Sequence, residues 1–566
     1  MIAETVTTRR KFLAGAAAAG SAPFVGAQGV MVDKPLWTAG IMTDTHVQTH
    51  RKDASLVRRA CELFARHKVD LVANCGDICE TYDPRGYAEI RKAYDEVFAS
   101  HKPEEIWVYA NHDWVRRSKE PHDAVMADVQ RHLKAKNGPY ASVTFRGYPI
   151  VVVPQMTWDE GKTEKMIVDA ENAHSDADIP VFVFDHEAGW NTNDNTITWG
   201  TGERLRLYSR HPRVILLSGH AHSSLKSELN CYLGRYASIN AGCLDRWRGD
   251  AASFTYAAKP EYGVLIMEVY RKRVVFRRFD VRDGLEYEPE RPWTVTLPYV
   301  PSQDPFAWLR RHEEAPQFPK GAKLEIKTVG DPCETVSLSF PAAVSGKDYL
   351  YRVDIADERG ERVACREEYG QFYLRRNERK ESLELLLPSC YFDVGIRYRV
   401  SVTPCDFLRR GGRALSCGFS LERRKGEPVW DCAEPMTSCR FLQGRTGGGS
   451  LPLKDGFYQL SSRNARLVLP REIWAGAKGT RFRFIVDCEM RIGRSPWTFV
   501  LCNSENGRMR PVNARIYTPR DPAFRQRIIV DFAKPAENFA GELMVKEGGA
   551  GQIRFLRLRL ETNLKS

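Results

Sequence analysis

The stretch "VILLSGHAHSS", Val214–Ser224, is a run of β-branched and leucine residues that stops at Gly219 and then delivers two histidines one residue apart. A short apolar run bounded by glycine reads as a buried strand. On extended backbone His220 and His222 leave the same side of the chain. Two readings fit. The pair is either a polar end to a strand, or a pair of imidazoles placed at a strand's carboxyl end to hold metal ions. What the other strands deliver decides between them.

Working outward, the sequence from Leu36 to about Val281 alternates strand-like runs with amphipathic stretches. "LWTAGIMTD" is followed by "ASLVRRACELFARHK", in which Leu56, Ala60, Leu63, Phe64 and His67 fall on one helical face. "VDLVANCGD" and "EIWVYANHD" repeat the pattern of a buried run with a polar end, and a helix-like segment from Gly86 to Ser100 lies between them. "YASVTFRGYPIVVVPQM" turns at Arg146-Gly147, "IPVFVFDHE" precedes the opening stretch, and "EYGVLIMEVYRKRVVFRRFDV" reads as a terminal hairpin. Such alternation predicts a layered α/β sheet, whose ligands gather at the carboxyl ends of the strands. Those ends supply, in chain order, Asp44-Thr45-His46, Gly76-Asp77, Asn111-His112-Asp113, His186 and Gly219-His220-Ala221-His222. Any one piece is weak. Five in series, each at a strand end, favour the metal reading of His220 and His222.

At 566 residues the chain exceeds one hydrophobic core, and 43% hydrophobic with 28% charged residues is ordinary for a folded protein. Residues 299–319 are Pro-rich and read as a linker. Beyond them helical periodicity gives way to alternating runs, which predict β-sandwiches over 320–421 and 428–566. The N-terminal "TTRRKFLAGAAAAGSAPFVGA" pairs Arg9 with Arg10 ahead of a short apolar stretch and small residues. It reads as a twin-arginine export signal over 1–27, cleaved near Ala27. The expectation is a periplasmic or otherwise extracytoplasmic protein with no membrane span after signal removal. The net charge of +12 suits anionic ligands, while no basic run marks nucleic acid. Nine of the fourteen cysteines lie between Cys333 and Cys502; an oxidising compartment permits disulfides there, and no C-x-x-C pair suggests structural zinc.

The series of strand ends resembles the calcineurin-like metallophosphoesterase superfamily, whose pattern is D-x-H, G-D, G-N-H-[D/E], H and G-H-x-H. The resemblance covers about Leu36 to Val281. It departs at Ala110, where the family has glycine, and at Glu80, where many members have aspartate. It implies a layered metallophosphoesterase β-sandwich flanked by helices over 34–298. It also implies two divalent metal ions (Mn, Zn, Fe or Ni), one held by Asp44, His46, Asp77 and His222, the other by Asp77, Asn111, His186 and His220. Asp77 is then the bridge, a shared hydroxide attacks a phosphomonoester or phosphodiester, His112 serves the leaving oxygen, and Glu80 orients His112. "SINAGCLDRW" resembles the segment that walls the site in relatives and nominates Asn240 and Arg246 as substrate contacts. Trp114, Trp158, Trp190 and Trp199 fall in loops near the site, where packing is favoured over stacking on a base or sugar. The rival readings are a nuclease or cyclic-nucleotide phosphodiesterase, or a surface protein with a vestigial metal site whose β domains hold a glycan or cell-surface ligand.

Overall fold

The computed structural model describes residues 34–48; 53–245 apart from 116, 118 and 175; 262–312; 314–344; 348–374; 376–443; 449–460; 464–470; 473; 481–492; 498–505; 508–511; 516–517; 525–533; 541–546; and 551–562. Residues 1–27 and Arg246 lie outside them.

The first domain is built from thirteen strands: β1 (Trp37–Met42), β2 (Leu71–Asn74), β3 (Glu104–Trp107), β4 (Ala141–Phe145), β5 (Tyr148–Val152), β6 (Val181–Phe184), β7 (Val214–Ser218), β8 (Cys231–Leu233), β9 (Ala237–Asn240), β10 (Gly263–Val269), β11 (Arg273–Asp280), β12 (Leu285–Tyr287) and β13 (Trp293–Thr296). They form two sheets. One runs β12-β11-β10-β1-β2-β3, with β13 beside β11; the other runs β4-β5-β6-β7-β9-β8. In each sheet a run of strands is parallel, β1-β2-β3 in the first and β5-β6-β7-β9 in the second; antiparallel pairs flank the second run on both sides and the first on the β1 side, so that β3 is a parallel edge. The β4–β5 hairpin turns through Arg146 (φ 47°) and Gly147 (φ 84°), the positive-φ pair that matches strand twist.

The sheets pack face to face over Ala39, Ile41, Ala73, Val108, Ile150, Phe182, Ile215, Leu217, Leu265 and Phe276, all buried. Helices α1 (Ser55–Arg66), α2 (Pro84–Val97) and α4 (His122–Leu133), with the single turn α3 (Asn111–Trp114), belong with the first sheet. Helix α1 buries Val57, Ala60, Cys61, Leu63 and Phe64. Its buried stripe is therefore turned by a residue from the expected face: Leu56 is half-buried, and His67 is exposed with its ring edge 5.1 Å from Phe279. Gly40 on β1 admits this packing, because a Cβ there would sit 2.4 Å from the Phe64 ring. Asp83 caps α2 by accepting from Arg85 N, and Pro84 starts the helix two residues before the expected Gly86. Helix α5 (Glu160–Ala173), the turn α6 (Thr196–Trp199) and α7 (Gly202–Tyr208) follow; α5 and α7 cover the outer face of the second sheet.

Residues 299–319 are docked rather than free. They contain α8 (Ala307–His312), and Leu309 is buried with Leu229 against Tyr349, Tyr369, Phe372, Tyr373 and Phe407. Next, β14 (Glu325–Val329), β15 (Thr335–Pro341) and β18 (Ser382–Pro388) face β16 (Leu350–Asp357), β17 (Arg362–Tyr369), β19 (Arg397–Cys405) and β20 (Leu415–Ser420) across a core that includes Val336, Leu338, Leu385, Val353 and Val400. The chain finishes in two further antiparallel sheets between Glu427 and Thr562, with a core that includes Phe441, Phe484, Leu501, Leu543 and Phe555. Arg527 ties the two β regions by donating to the carbonyls of Cys390 and Tyr391 and to Asp393 and Asp487. All fourteen cysteines are free thiols, so the disulfides that the composition permitted are not formed. No helix among the described residues is long and apolar enough to cross a membrane.

Candidate metal centre

The carboxyl ends of β1, β2, β3, β6 and β7 meet at one edge of the sandwich. The first sheet delivers Asp44, His46, Asp77 and Asn111, and the second delivers His186, His220 and His222. Backbone bonds lock the loops together. Asp44 N donates to Gly76 O and His46 N to Asp77 O, both at 3.0 Å; Gly219 N donates to His186 O at 3.0 Å and Leu244 N to Thr43 O at 3.1 Å. Asp44, His46, Asp77, His220 and His222 all have φ between 45° and 65°, five of the thirteen non-glycine residues with positive φ among those described. Such backbone is costly for residues with a Cβ and gathers where function demands it. Gly76 (φ 106°) cannot carry a Cβ at all, since it would lie 2.6 Å from His186 Nδ1.

Three groups of donors result among the described residues; one, His46, Glu80 and His112, lies at the rim, and the other two share Asp77. Asp44, His46, Asp77 and His222 form the first; Asp77, His186 and His220 form the second. In the first, His46 Nε2 lies 3.1 Å from His222 Nε2 and 3.7 Å from both Asp44 Oδ1 and Asp77 Oδ2, and His222 Nε2 lies 3.1 Å from Asp44 Oδ1. In the second, His186 Nε2 lies 3.1 Å from Asp77 Oδ2 and 3.2 Å from His220 Nδ1. His186 Nδ1 is 2.7 Å from the Cys75 carbonyl, which can only accept; that nitrogen carries a proton, and Nε2 is the nitrogen that faces the centre.

Burial works against charge here, yet opposite charges override it. Asp44 is held well below the ordinary carboxylate range by His222 and His186, and Asp77 likewise by His186 and His46. The same pairing raises His46 to about 10, through Asp44 and Glu80, and His186 to about 9, through Asp77 and Asp44. His220, buried beside His186, falls to about 3. Asp44 Oδ1 and Asn111 Oδ1 are buried and accept no hydrogen bond. Orphaned oxygens cost free energy unless something electropositive meets them. Carboxylate, amide and imidazole donors suit borderline divalent metals. The residues present fit two such ions: Asp44, His46, Asp77 and His222 would hold one, and Asp77, Asn111, His186 and His220 the other.

His112 stands at the rim with 27% of its side chain exposed. Its N–H donates to Asp77 Oδ1 at 3.1 Å, and its Nδ1 lies 2.7 Å from the Glu80 carbonyl oxygen. Glu80 reaches two histidines: its carboxylate is 4.0 Å from His112 Nδ1 and 2.9 Å from His46 Nδ1, while its backbone carbonyl meets His112 Nδ1 directly. The expected role of Asn240 is corrected. It is fully buried, its Nδ2 donates to Gly219 O and its Oδ1 accepts from Gly242 N, so it braces the loop and faces no substrate. Of the tryptophans, Trp199 meets the His220 ring edge-to-face with ring centres 5.5 Å apart, Trp114 stacks on His122 with ring centres 4.1 Å apart and Trp158 lies beneath Arg204.

The sequence reading gives no role to three supports. Asp113, wholly buried, accepts from Cys79 N, Ala110 N and Ile78 N and from the Tyr87 hydroxyl, which clamps the Asp77 loop to the Asn111 loop. Burial and the Asp77 charge push its carboxyl up to about 6. Gln155 Oε1 accepts from Asn111 N at 3.0 Å; as a polar residue just after the buried run of β5, it obeys the rule that found the others. Asp245 Oδ2 lies 3.9 Å from His222 Nδ1; it falls within "SINAGCLDRW", where the resemblance gives roles only to Asn240 and Arg246.

No protein-family model and no curated protein matches the chain. Among solved structures it is 12% identical to a dimetal phosphatase from Danio rerio, over 47% of this chain and 100% of that one, with a TM-score of 0.29. It is 13% identical to the phosphoesterase Yfce from E. coli, over 46% and 100%, with a TM-score of 0.24. It is 12% identical to a purple acid phosphatase from yellow lupin (Lupinus luteus) seeds, over 46% and 53%, with a TM-score of 0.34. What this chain does is read from the side chains at the strand ends.

Proposed function

We propose that the chain is a phosphoesterase with a dinuclear metal centre. The observation that carries this reading is the pair of donor groups sharing Asp77, with Asn111 Oδ1 and Asp44 Oδ1 buried and accepting no hydrogen bond, the latter among the ring nitrogens of His222 and His46. Two divalent ions in such a centre supply Lewis acidity, an activated water and charge neutralisation for in-line displacement at phosphorus. The chain's own residues supply the rest. Asp77 presents Oδ2 to the centre while its Oδ1 accepts the His112 N–H, so the shared carboxylate also fixes the rim histidine. The Glu80 carbonyl holds one proton on His112 Nδ1, so Nε2 is the nitrogen left to act: in the imidazolium form it gives its own proton to a departing alkoxide and returns to the neutral Nδ1–H ring. His186 is held by the bond of its outer nitrogen to the Cys75 carbonyl, and the Glu80 carboxylate stands 2.9 Å from the outer nitrogen of His46, which keeps the inner nitrogens aimed while substrate binds and leaves.

All seven expected donor positions retain a ligand-type side chain, which favours a working centre over a vestigial one. Export by the twin-arginine route, and with it a periplasmic location, rests on Arg9 and Arg10. A glycan or cell-surface ligand for the C-terminal sheets rests only on their all-β character. The reading is tested by assaying the purified full chain with Mn²⁺ and then Zn²⁺ against phosphomonoesters, phosphodiesters, nucleotides and phospholipid head groups, beside Asp77→Ala. Hydrolysis of at least one class, lost in Asp77→Ala together with paired metal binding, supports it. Metal-loaded protein that is inert toward all of them, or activity that survives Asp77→Ala, overturns it.

A further inference from the structure

The two halves of the centre are unequal in charge. The first group holds the carboxylates of Asp44 and Asp77, and two more lie behind its histidines, Glu80 at 2.9 Å from His46 Nδ1 and Asp245 at 3.9 Å from His222 Nδ1. The second has the shared Asp77 as its carboxylate donor, with Asp44 Oδ1 farther off at 3.9 Å from His186 Nε2. Asn111 contributes a neutral amide, and the outer nitrogen of His186 meets a backbone carbonyl. At Glu80 and His46 a carboxylate lies within 3 Å of a ligand histidine's outer nitrogen while the inner nitrogen faces the centre. A carboxylate behind a ligating imidazole fixes the ring, keeps its outer nitrogen protonated and raises the basicity of the inner one. From this we infer, on the dinuclear reading above, that Glu80 is a positioning residue for His46. It makes the Asp44–His46–Asp77–His222 position the tighter of the two, filled first, with the Asn111 position weaker and exchangeable.

The side chain of Glu80 is 42% exposed, so substitution there removes the carboxylate without opening the core. The experiment titrates Mn²⁺ into metal-stripped full-length protein by calorimetry and chelator competition, for wild type, Glu80→Gln and Glu80→Ala, with circular dichroism to check folding. Wild type should fill in two resolved steps. Glu80→Gln should weaken the tight step by about 10- to 100-fold and leave the weak step within about twofold, with Glu80→Ala weaker again because the ring also loses its support. Two steps unmoved by either substitution overturn this inference alone. So does a Glu80→Gln protein with normal metal binding that selectively loses hydrolysis of alkyl phosphates, because the carboxylate would then act through His112. Wild-type protein that takes up no Mn²⁺ overturns the dinuclear reading and this inference with it.

Discussion

Adding one methyl group at Gly219, the residue that ends the β7 run, should dismantle the first half of the centre. A Cβ there would lie 1.9 Å from Thr43 Oγ1 and 2.4 Å from Asp44 Oδ2, against 3.4 Å for ordinary contact. The backbone of Gly219 is within reach of any residue, so the effect of alanine is purely steric. Thr43 and Asp44 must withdraw by more than 1 Å, which breaks the Thr43 Oγ1 bond to Asp44 Oδ2 (2.8 Å) and the His220 N bond to the same oxygen (2.9 Å). Overpacking costs about 1–3 kcal/mol. Each buried hydrogen bond to an ionised group adds about 1.5–3 kcal/mol. Partial relaxation leaves Gly219→Ala destabilised by about 3–5 kcal/mol in the metal-stripped state. Displacing Asp44 by this much should weaken the tight metal step at least as much as losing an outer partner does, about 10- to 100-fold. Hydrolysis should fall by about 10²-fold even at saturating Mn²⁺. Denaturant unfolding of metal-stripped protein, chelator competition and steady-state hydrolysis measure the three effects. Gly138→Ala is the control, since its Cβ would meet nothing closer than Tyr140 O at 3.7 Å. A Gly219→Ala protein with normal metal affinity and rate would show that Asp44 does not need this seat.

His112→Ala should keep both metal steps and lose about 10²- to 10⁴-fold on an alkyl phosphate but far less on nitrophenyl phosphate, whose leaving group needs little protonation. Equal losses on the two would count against the proton-donor role. Metal loading near pH 7 should release about two protons per chain from His46 and His186, whose values of about 10 and 9 in the metal-free protein mean that both carry an extra proton there. Calorimetry in buffers of different ionisation enthalpy reads the release, and a buffer-independent heat would contradict it. Because these folded values lie above the ordinary histidine value of about 6.5, the stability they lend the metal-free protein is complete below that pH and drains as pH rises through about 9 and 10. Metal-free protein should therefore unfold more easily at pH 10 than at pH 7. Arg9→Lys with Arg10→Lys should block export, read by cell fractionation of the full chain; normal delivery of the double variant would remove the case for the twin-arginine route.

Much of the site was legible because ligands at strand ends leave two adjacent marks, an apolar run and an abrupt polar residue. Asp44, Asp77, Asn111, His186 and His220 all carry both. The same rule applied to β5 points to Gln155. Other features leave no such mark. The left-handed backbone of Asp44, His46, Asp77, His220 and His222 comes from loops bonded to one another across the two sheets, and none of the five is a glycine. Glu80 sits three residues after Asp77, within reach of two histidines, and only the fold shows that its carboxylate meets His46 while its carbonyl meets His112. Asn240 looked like a site wall because it follows the His-x-His loop, whereas its position at the end of β9 buries it beneath Gly219. In the fold, the hairpin of β10 and β11 was plain, but its docking beside β1, far off in sequence, was not. For α1, periodicity gave the helix and left its rotation to Gly40, which lets Phe64 through.

The central claim is that one carboxylate, Asp77, serves two metal positions. A crystal of the Mn²⁺-loaded full chain, with data collected on the low- and high-energy sides of the manganese absorption edge, tests it directly. The account predicts two anomalous peaks, one among Asp44, His46, Asp77 and His222 and the other among Asp77, Asn111, His186 and His220, with an oxygen of Asp77 in contact with each. A single peak, or two peaks of which Asp77 touches only one, would contradict it.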